Sequence, residues 1–519
     1  MTLAARDSTQ VLHPSGGSAW THAAGRVRAR LAARPATEWV STALLVLALA
    51  SGAALRFLRL DAVGLNSDEA VYAAQAASLA GNEHFTSLFP VVRAHPLLLQ
   101  MLISPLYDHG VPDTPGRYVT AAFGLGTVGL TYCVGRVLYG RLVGALGALL
   151  LAVMPYHVIV SRQIILDGPM AFFATASLLF MAVAARWRNG RWLVAAGAAL
   201  GLAALTKEPA IILLGSCFAF LALTSRVTRP VRFPFVGAGV AVLLVMVYPL
   251  LTALAGGGRG GTSYLLWQLS RQPNHTFGFY FSTVGLAMGP GLLALGLAGL
   301  VVFRRELTWR ETLLICWLAA PFLYFEIWPT KGFTYLTGLA PVAALLGAVA
   351  LVRLGRGLRL RRLLAAVLAL GCLVSLVLPA VLGVARPNTS GLAGAGGTPG
   401  GRELGRWVAT HAPAGSQFMT IGPSMANLIQ FYGGHPADGL SVSPNPLHRN
   451  PSYTPIRNAD LSLRQGTYQY IVWDAYSAGR SKHFSGRAMD LVHRYHGIPV
   501  LVEHGSDGKP IVAVYEVAP

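Results

Sequence analysis

Charge is what this chain has least of. Only 12% of its 519 residues are Asp, Glu, Lys or Arg, against roughly 25% in a water-soluble domain. With 54% hydrophobic residues and a mean hydropathy of +0.52, lipid is the expected solvent for most of the chain. Cysteine is nearly as scarce. Four cysteines exclude a disulfide scaffold, and Cys133, Cys217, Cys316 and Cys372 all fall in apolar runs, where a free thiol behaves as a small hydrophobe. Lysine is rarer than arginine by far, four against 37, so the position of each lysine is informative. No Gly-rich phosphate loop, no paired-Asp metal motif and no zinc-ligand spacing among the 14 histidines is present.

What the chain has in quantity is long apolar runs. Eleven are long enough, or nearly so, to cross a bilayer, at about 39–58, 116–136, 142–160, 167–185, 191–206, 208–225, 233–255, 282–303, 311–328, 333–352 and 362–384. The pairing of 191–206 with 208–225 is short and tight. The arginines sort by connection. They cluster in the N-terminal tail (Arg26, Arg28, Arg30, Arg34) and in every second connection after it, such as Arg186, Arg188 and Arg191, or Arg353, Arg356, Arg359, Arg361 and Arg362. The positive-inside rule places these in the cytoplasm, and an odd number of spans places the C-terminus outside. Of the net +20, the segment 388–519 carries only +2. The basic balance is therefore a topology signal, and nucleic acid is not an expected partner. The expected organisation is a disordered cytoplasmic tail over 1–37, a transmembrane domain over 38–387 with a large first outer loop at 59–115, a linker at 388–400 and a soluble extracytoplasmic α/β domain over 401–519.

The unusual residues collect on the outer face. The first outer loop holds Asn66-Ser67-Asp68-Glu69 and, later, His95-Pro96-Leu97. The next connections carry Ser161-Arg162-Gln163-Ile164-Ile165-Leu166-Asp167 and Leu205-Thr206-Lys207-Glu208-Pro209. A Gly-rich connection at 256–281 contains Tyr264, Arg271 and His275. The last runs Glu326-Ile327-Trp328-Pro329-Thr330-Lys331-Gly332-Phe333-Thr334-Tyr335. Each admits a plain structural reading. Ser67 followed by two carboxylates is a good helix start. Arg162 and Asp167 could form a salt bridge closing a hairpin, and Lys207 and Lys331 could reach to the headgroups. An ionisable group at membrane depth costs about 2.5–3.5 kcal/mol on insertion scales, so Glu326 at a span end is expected to be paired or functional. Taken together, acidic and basic groups at the outer ends of several helices, including two of the four lysines, read as a polar site at one membrane face.

At these residues the chain resembles the GT-C superfamily of membrane glycosyltransferases. Within it, the chain is similar to the branch (family 39-like) that contains protein O-mannosyltransferases and the lipid A aminoarabinose transferase. Asp68-Glu69 matches the family's acidic pair after the first helix, Arg162 with Leu166-Asp167 its Arg…Leu-Asp motif, and Leu205–Pro209 its Leu-Thr-Lys-x-Pro turn. Lys331, Tyr335 and Pro341 match its late outer loop. Two departures stand out: Glu208 occupies a position where the family often has Gly, and His95-Pro96-Leu97 lacks the first proline of a Pro-Pro-Leu element. The resemblance spans roughly 40–350. It implies an α-helical polytopic membrane enzyme of about 11 spans that moves a sugar, mannose or another, from a polyprenyl-phosphate donor to a hydroxyl of a protein, lipid or polysaccharide outside the cell membrane.

In that setting Asp68 is the expected base, with Glu69 orienting the acceptor or, together with Asp68, holding a hard divalent cation. No other cofactor is called for. Lys331 is the first choice for the leaving phosphate, followed by Arg162, Lys207 and Arg271, with Tyr335 as a hydrogen-bond donor. Asp167, Glu208, His95 and Glu326 are expected to support them. A lipid or glycan flippase is the alternative; such proteins place ionisable groups near the midplane and often show inverted repeats, and neither feature is evident. A structural component of an envelope complex would have no need of Asp68.

The C-terminal segment alternates helical and strand-like patterns. Helices are expected at Gly401–His411, Ser424–Tyr432 and Phe484–Tyr495, and strands at Gln417–Ile421, Tyr468–Trp473, Pro499–Glu503 and Pro510–Val517, the last two as a hairpin. Asp438–Tyr453 reads as a surface loop, a glycan-binding segment or a cap over the site.

Overall fold

The computed structural model describes residues 36–91, 95–107, 112–226, 232–254, 267–387 and 397–518. The expected disordered tail, most of the expected linker and Tyr264 lie outside the described residues.

Helix α1 (Ala36–Phe57) leads into an outer loop that folds as three short helices, α2 (Ser67–Leu79), α3 (Glu83–Leu88) and α4 (Leu98–Ile103). Then come α5 (Pro115–Leu138), α6 (Arg141–Ala152), α7 (Pro155–Ser161), α8 (Asp167–Trp187), α9 (Trp192–Thr206), α10 (Leu213–Leu223) and α11 (Arg232–Leu254). The helical part closes with α12 (Tyr280–Met288), α13 (Pro290–Val302), α14 (Trp309–Ile327), α15 (Ala340–Leu354) and α16 (Arg359–Ala385). All eleven apolar runs contain helix. By length and hydropathy, however, six described helices qualify as spans, or up to eight when each bent pair counts once. The expected number of eleven is not established.

The two bent pairs have local causes. α6 and α7 meet at 65° just before Pro155, and α12 and α13 at 97°. The second break is at Gly289, whose φ of +96° suits glycine. A Cβ there would come within 2.5 Å of Leu376 on α16, so the turn also needs the missing side chain. α9 and α11 cross with Gly197 against Gly237, the small-residue packing by which helices approach closely in lipid.

The C-terminal part comprises α17 (Gly401–His411), β1 (Phe418–Thr420), α18 (Pro423–Leu428), β2 (Ala437–Gly439), α19 (Ala459–Arg464), β3 (Tyr470–Asp474), α20 (Ala475–Arg480), α21 (Lys482–Arg494), β4 (Ile498–His504) and β5 (Pro510–Glu516). Its five strands order as β2-β1-β3-β5-β4, with β1 parallel to both neighbours and β5 antiparallel to β3 and β4. The expected hairpin is present; β2, α19 and α20 were not expected from the sequence. Alternate side chains divide between the two sheet faces. Met419 and Ile471 pack with α19 and α21. Phe418, Val472 and Val514 pack into a core shared with Ala70, Ala73 and Ala77 of α2, Phe85 and Phe89.

That shared core is the main departure from an appended domain. The alanine-rich face of α2 is apolar enough to need cover, and the C-terminal sheet supplies it. Polar links fix the junction. Arg402 pairs with Asp113 at 2.6 Å, Tyr432 donates to the same carboxylate at 2.8 Å, and the Leu65 amide donates to the Tyr432 hydroxyl at 2.9 Å.

Candidate functional site

The site begins with how α2 starts. Asn66, rather than Ser67, is the N-cap: its side-chain oxygen accepts from the Asp68 and Glu69 amides at 3.0 Å each. Glu69 reaches back to the Asn66 amide at 3.1 Å, completing a capping box. Glu69 is fully buried. Its carboxylate accepts from Arg117 Nε and Nη2 at 2.7 Å each and from the Ile164 amide at 2.9 Å. The other Arg117 hydrogens go to the carbonyls of Leu60, Val63 and Gly64, so all five donors of a buried guanidinium are used. Glu69 therefore ties the outer loop to α5. With four donors on its two oxygens it has no position left for an acceptor or a metal, contrary to the expectation from sequence. Among the described residues no three His, Cys, Asp or Glu side chains converge as a metal-binding set.

Asp68 is the opposite case. One residue earlier on the helix, it points away from that network and stands open to solvent, with protein around the opening. Burial pushes its carboxyl above the ordinary aspartate range, the nearby Asp167 adds to this, and the positive charges of Lys207, His95 and Arg480 oppose it.

Across from it lies Lys207, in extended conformation where α9 ends. Its ammonium donates to both oxygens of Asp167 at 2.8 Å and sits 5.1 Å from the centre of the Tyr335 ring. Tyr335 rides on the short turn Phe333–Leu339, which is fixed because Tyr156 donates to the Phe333 carbonyl at 2.7 Å. Gly332 lets the ring lie flat on the backbone; a Cβ there would approach it to 2.7 Å. Beside the pair, His95 Nδ1 lies 2.9 Å from Glu208, with the Tyr72 ring edge-on to the imidazole. Asp167, Lys207 and Tyr335 line a solvent-open pocket whose other walls are apolar: Ile212 and Leu213 from the α9–α10 side, Pro321 and Phe325 from α14, and Leu339.

Three expected cations are used elsewhere. Arg162 does not pair with Asp167; it donates to the Leu55, Arg56, Leu58 and Arg59 carbonyls at 2.7–3.3 Å. It is thus the C-terminal cap of α1, whose last carbonyls have no helical partner. It lines a second cavity of about 470 Å³ with Arg59 and the Glu69–Arg117 pair, where every named carboxylate oxygen is already bonded. Lys331 is likewise a cap, its ammonium on the Glu326 and Trp328 carbonyls at 2.8 and 3.2 Å. Glu326 accepts from the Gly278 amide at 2.8 Å. Arg271 stacks on Trp267 and bonds Gln268 in the adjoining connection.

The structure thus groups Asp68, His95, Asp167, Lys207, Glu208 and Tyr335, and engages Glu69, Arg162, Arg271, Glu326 and Lys331 in other contacts. Sequence reasoning missed Arg117, which carried no signal beyond an arginine at a span end. It also missed Tyr476 and Arg480, which the sheet brings up beside Asp68 from 400 residues away.

Comparison with known proteins bears on the fold. The family profile described as dolichyl-phosphate-mannose-protein mannosyltransferase matches residues 94–252. No curated protein matches the chain by sequence at a significant level. Among solved structures, ArnT from Cupriavidus metallidurans in the apo state superposes with a TM-score of 0.66 at 18% identity, over 92% of this chain and 98% of that one. The same protein bound to undecaprenyl phosphate gives 0.63 at 17% identity, over 92% and 98%. The Archaeoglobus fulgidus oligosaccharyltransferase AglB, in complex with an inhibitory peptide and a dolichol-phosphate, gives 0.60 at 13% identity, over 93% and 74%. The chain thus has the fold of ArnT and AglB and the long apolar helices of a multi-pass membrane protein.

Proposed function

We propose that this protein is a membrane glycosyltransferase that moves a sugar from a polyprenyl-phosphate carrier to an acceptor hydroxyl on the extracytoplasmic face. The observation that carries this reading is a solvent-open carboxylate, Asp68, beside a buried ammonium, Lys207, that heads an apolar cavity between helices. A donor that is lipid at one end and phosphate at the other has the polarity of that cavity. ArnT and AglB, of like fold, have been seen with undecaprenyl phosphate and dolichol-phosphate respectively, which supports a carrier of the same kind here.

In the proposed step the acceptor oxygen attacks the anomeric carbon as its proton passes to Asp68. The bond from that carbon to the phosphate oxygen breaks, and the departing phosphate takes the electron pair. Lys207, freed in part from Asp167, neutralises the charge that develops there, and the Tyr335 hydroxyl donates to it. Direct displacement inverts the anomeric centre. His95 and Glu208 hold the outer loop against the Lys207 turn, and Asp167 keeps the ammonium in place before the donor arrives. The clustering of arginines in alternate connections supports a cytoplasmic N-terminus and an extracytoplasmic C-terminal part.

The test is a deletion strain complemented with wild-type protein or Asp68→Asn, with lipid-linked sugars and envelope glycans measured in both. Accumulation of a polyprenyl-phosphate sugar in the deletion and in Asp68→Asn, cleared by the wild type, is expected. Unchanged pools on deletion would remove the enzyme reading; wild-type transfer by Asp68→Asn would remove the base.

A further inference from the structure

Two side chains beside Asp68 have no part in the transfer as described, and both come from the C-terminal sheet domain. Their placement follows from a chain of contacts. Asn427 on α18 donates to the Ser67 hydroxyl at 2.9 Å, tying that helix to the residue just before Asp68. α18 starts at Gly422, where an added Cβ would lie 3.4 Å from the Ser477 hydroxyl. Ser477 belongs to α20, whose first turn is capped by Asp474 through the Ser477 amide at 2.7 Å. α20 thus lies beside the element that touches the start of α2, and it carries Tyr476 and Arg480 into electrostatic range of Asp68.

Arg480 differs from the other arginines around the site. Arg117, Arg162 and Arg402 are consumed by carboxylates and backbone carbonyls. Arg480 is exposed and among the described residues makes no ion pair or hydrogen bond. Its guanidinium rests 4.1 Å from the centre of the Tyr476 ring, which holds it in place by a cation–π contact. An oriented guanidinium within electrostatic range of Asp68, and of Asp474 on its own side, has a clear use. An anionic molecule approaching Asp68 is repelled by it, and a cation at the entrance reverses that repulsion.

We infer that Tyr476 and Arg480 form an acceptor subsite, in which Arg480 binds a phosphate or carboxylate carried by the acceptor near its reacting hydroxyl. The inference rests on the transferase reading above and narrows it to an anionic acceptor. Arg suits this task because its planar fork matches either oxyanion with two parallel hydrogen bonds.

The experiment uses the full chain in the deletion strain, complemented with Arg480→Gln, Arg480→Lys or Tyr476→Leu. Arg480→Gln is expected to cut product by roughly 10- to 100-fold, the loss of one charged hydrogen-bonded contact, with Arg480→Lys recovering much of it. Binding of undecaprenyl phosphate to the purified variants is expected to match wild type, since the donor cavity is untouched. The acceptor that accumulates unmodified is then isolated. Charge lost on phosphate-ester cleavage marks it as a phosphate bearer, and charge lost on carboxyl reduction as a carboxylate bearer. A neutral acceptor, or full complementation by Arg480→Gln, overturns the inference while leaving the transferase reading intact. Unchanged lipid-linked sugars in the deletion strain itself fail that reading instead.

Discussion

Lys207 Nζ lies 2.8 Å from both carboxylate oxygens of Asp167, its partner forty residues earlier in the chain. The side chains are 12% and 5% exposed, so each is an uncompensated buried charge without the other. Lys207→Met is expected to destabilise the protein by about 3–5 kcal/mol, the usual cost of breaking such a pair from one side, and to abolish undecaprenyl phosphate binding. Asp167→Asn leaves the ammonium unpaired in turn and is expected to cost a similar amount, while keeping lipid binding. Thermal unfolding in detergent and a lipid-binding titration check both; equal lipid binding by Lys207→Met would remove the phosphate role.

Lys331 gives the complementary expectation. Its ammonium caps α14 through two carbonyls, so Lys331→Met costs about 0.5–1.5 kcal/mol in stability and leaves transfer within a few-fold of wild type. A loss as large as that of Lys207→Met would restore Lys331 to the donor phosphate.

Asp68 predicts a pH profile. Burial raises its pKa above the ordinary aspartate value, and the neighbouring His95 partly offsets the rise. The base works only when deprotonated, so transfer is expected to fall as pH drops through this raised pKa. The acid limb lies at higher pH than an unperturbed aspartate gives. His95→Ala removes an opposing positive charge and moves that limb further up. An unmoved limb, with folded protein and measurable transfer, would separate the two residues.

The pairing of Glu69 with Arg117 is structural. Glu69→Gln and Arg117→Met each leave one buried partner unpaired, and each is expected to cost about 3–5 kcal/mol. Transfer should fall in proportion to folded protein, which quantitative folding and activity assays on the same membranes will show. A fully folded Glu69→Gln without transfer would return a chemical role to Glu69.

The shared core predicts that the C-terminal part is indispensable. Phe431 packs on Phe85 with ring centres 5.7 Å apart, and Phe431→Ala is expected to cost about 3–5 kcal/mol. A chain ending at residue 388 exposes the alanine face of α2 and should aggregate or be degraded. A stable, active truncation would contradict the packing.

The helices were legible in the sequence, and for good reason. Apolar runs follow directly from composition, and the arginine alternation marks a side of the membrane. The strands Phe418–Thr420 and Tyr470–Asp474 were legible by their apolar pattern, while three-residue β2 and six-residue α20 are too short for any periodicity to show. The span number was not legible, because a run of apolar residues does not reveal the bend at Gly289 or before Pro155.

The sequence by itself determined that this is a helical membrane protein with ionisable residues, Asp68, Asp167, Lys207 and Lys331 among them, at or near the ends of its apolar runs. Hydropathy and residue type are local properties, readable one segment at a time. Which cation faces the site and which merely caps a helix was decided only by tertiary structure. An arginine or lysine satisfies whichever oxygens the fold brings within 3 Å: carbonyls for Arg162 and Lys331, a carboxylate for Lys207. The same holds for neighbouring Asp68 and Glu69, set apart by a turn of 100° on one helix, and for Arg480, which comes within electrostatic range of Asp68 only because a sheet formed late in the chain packs back on its first outer helix.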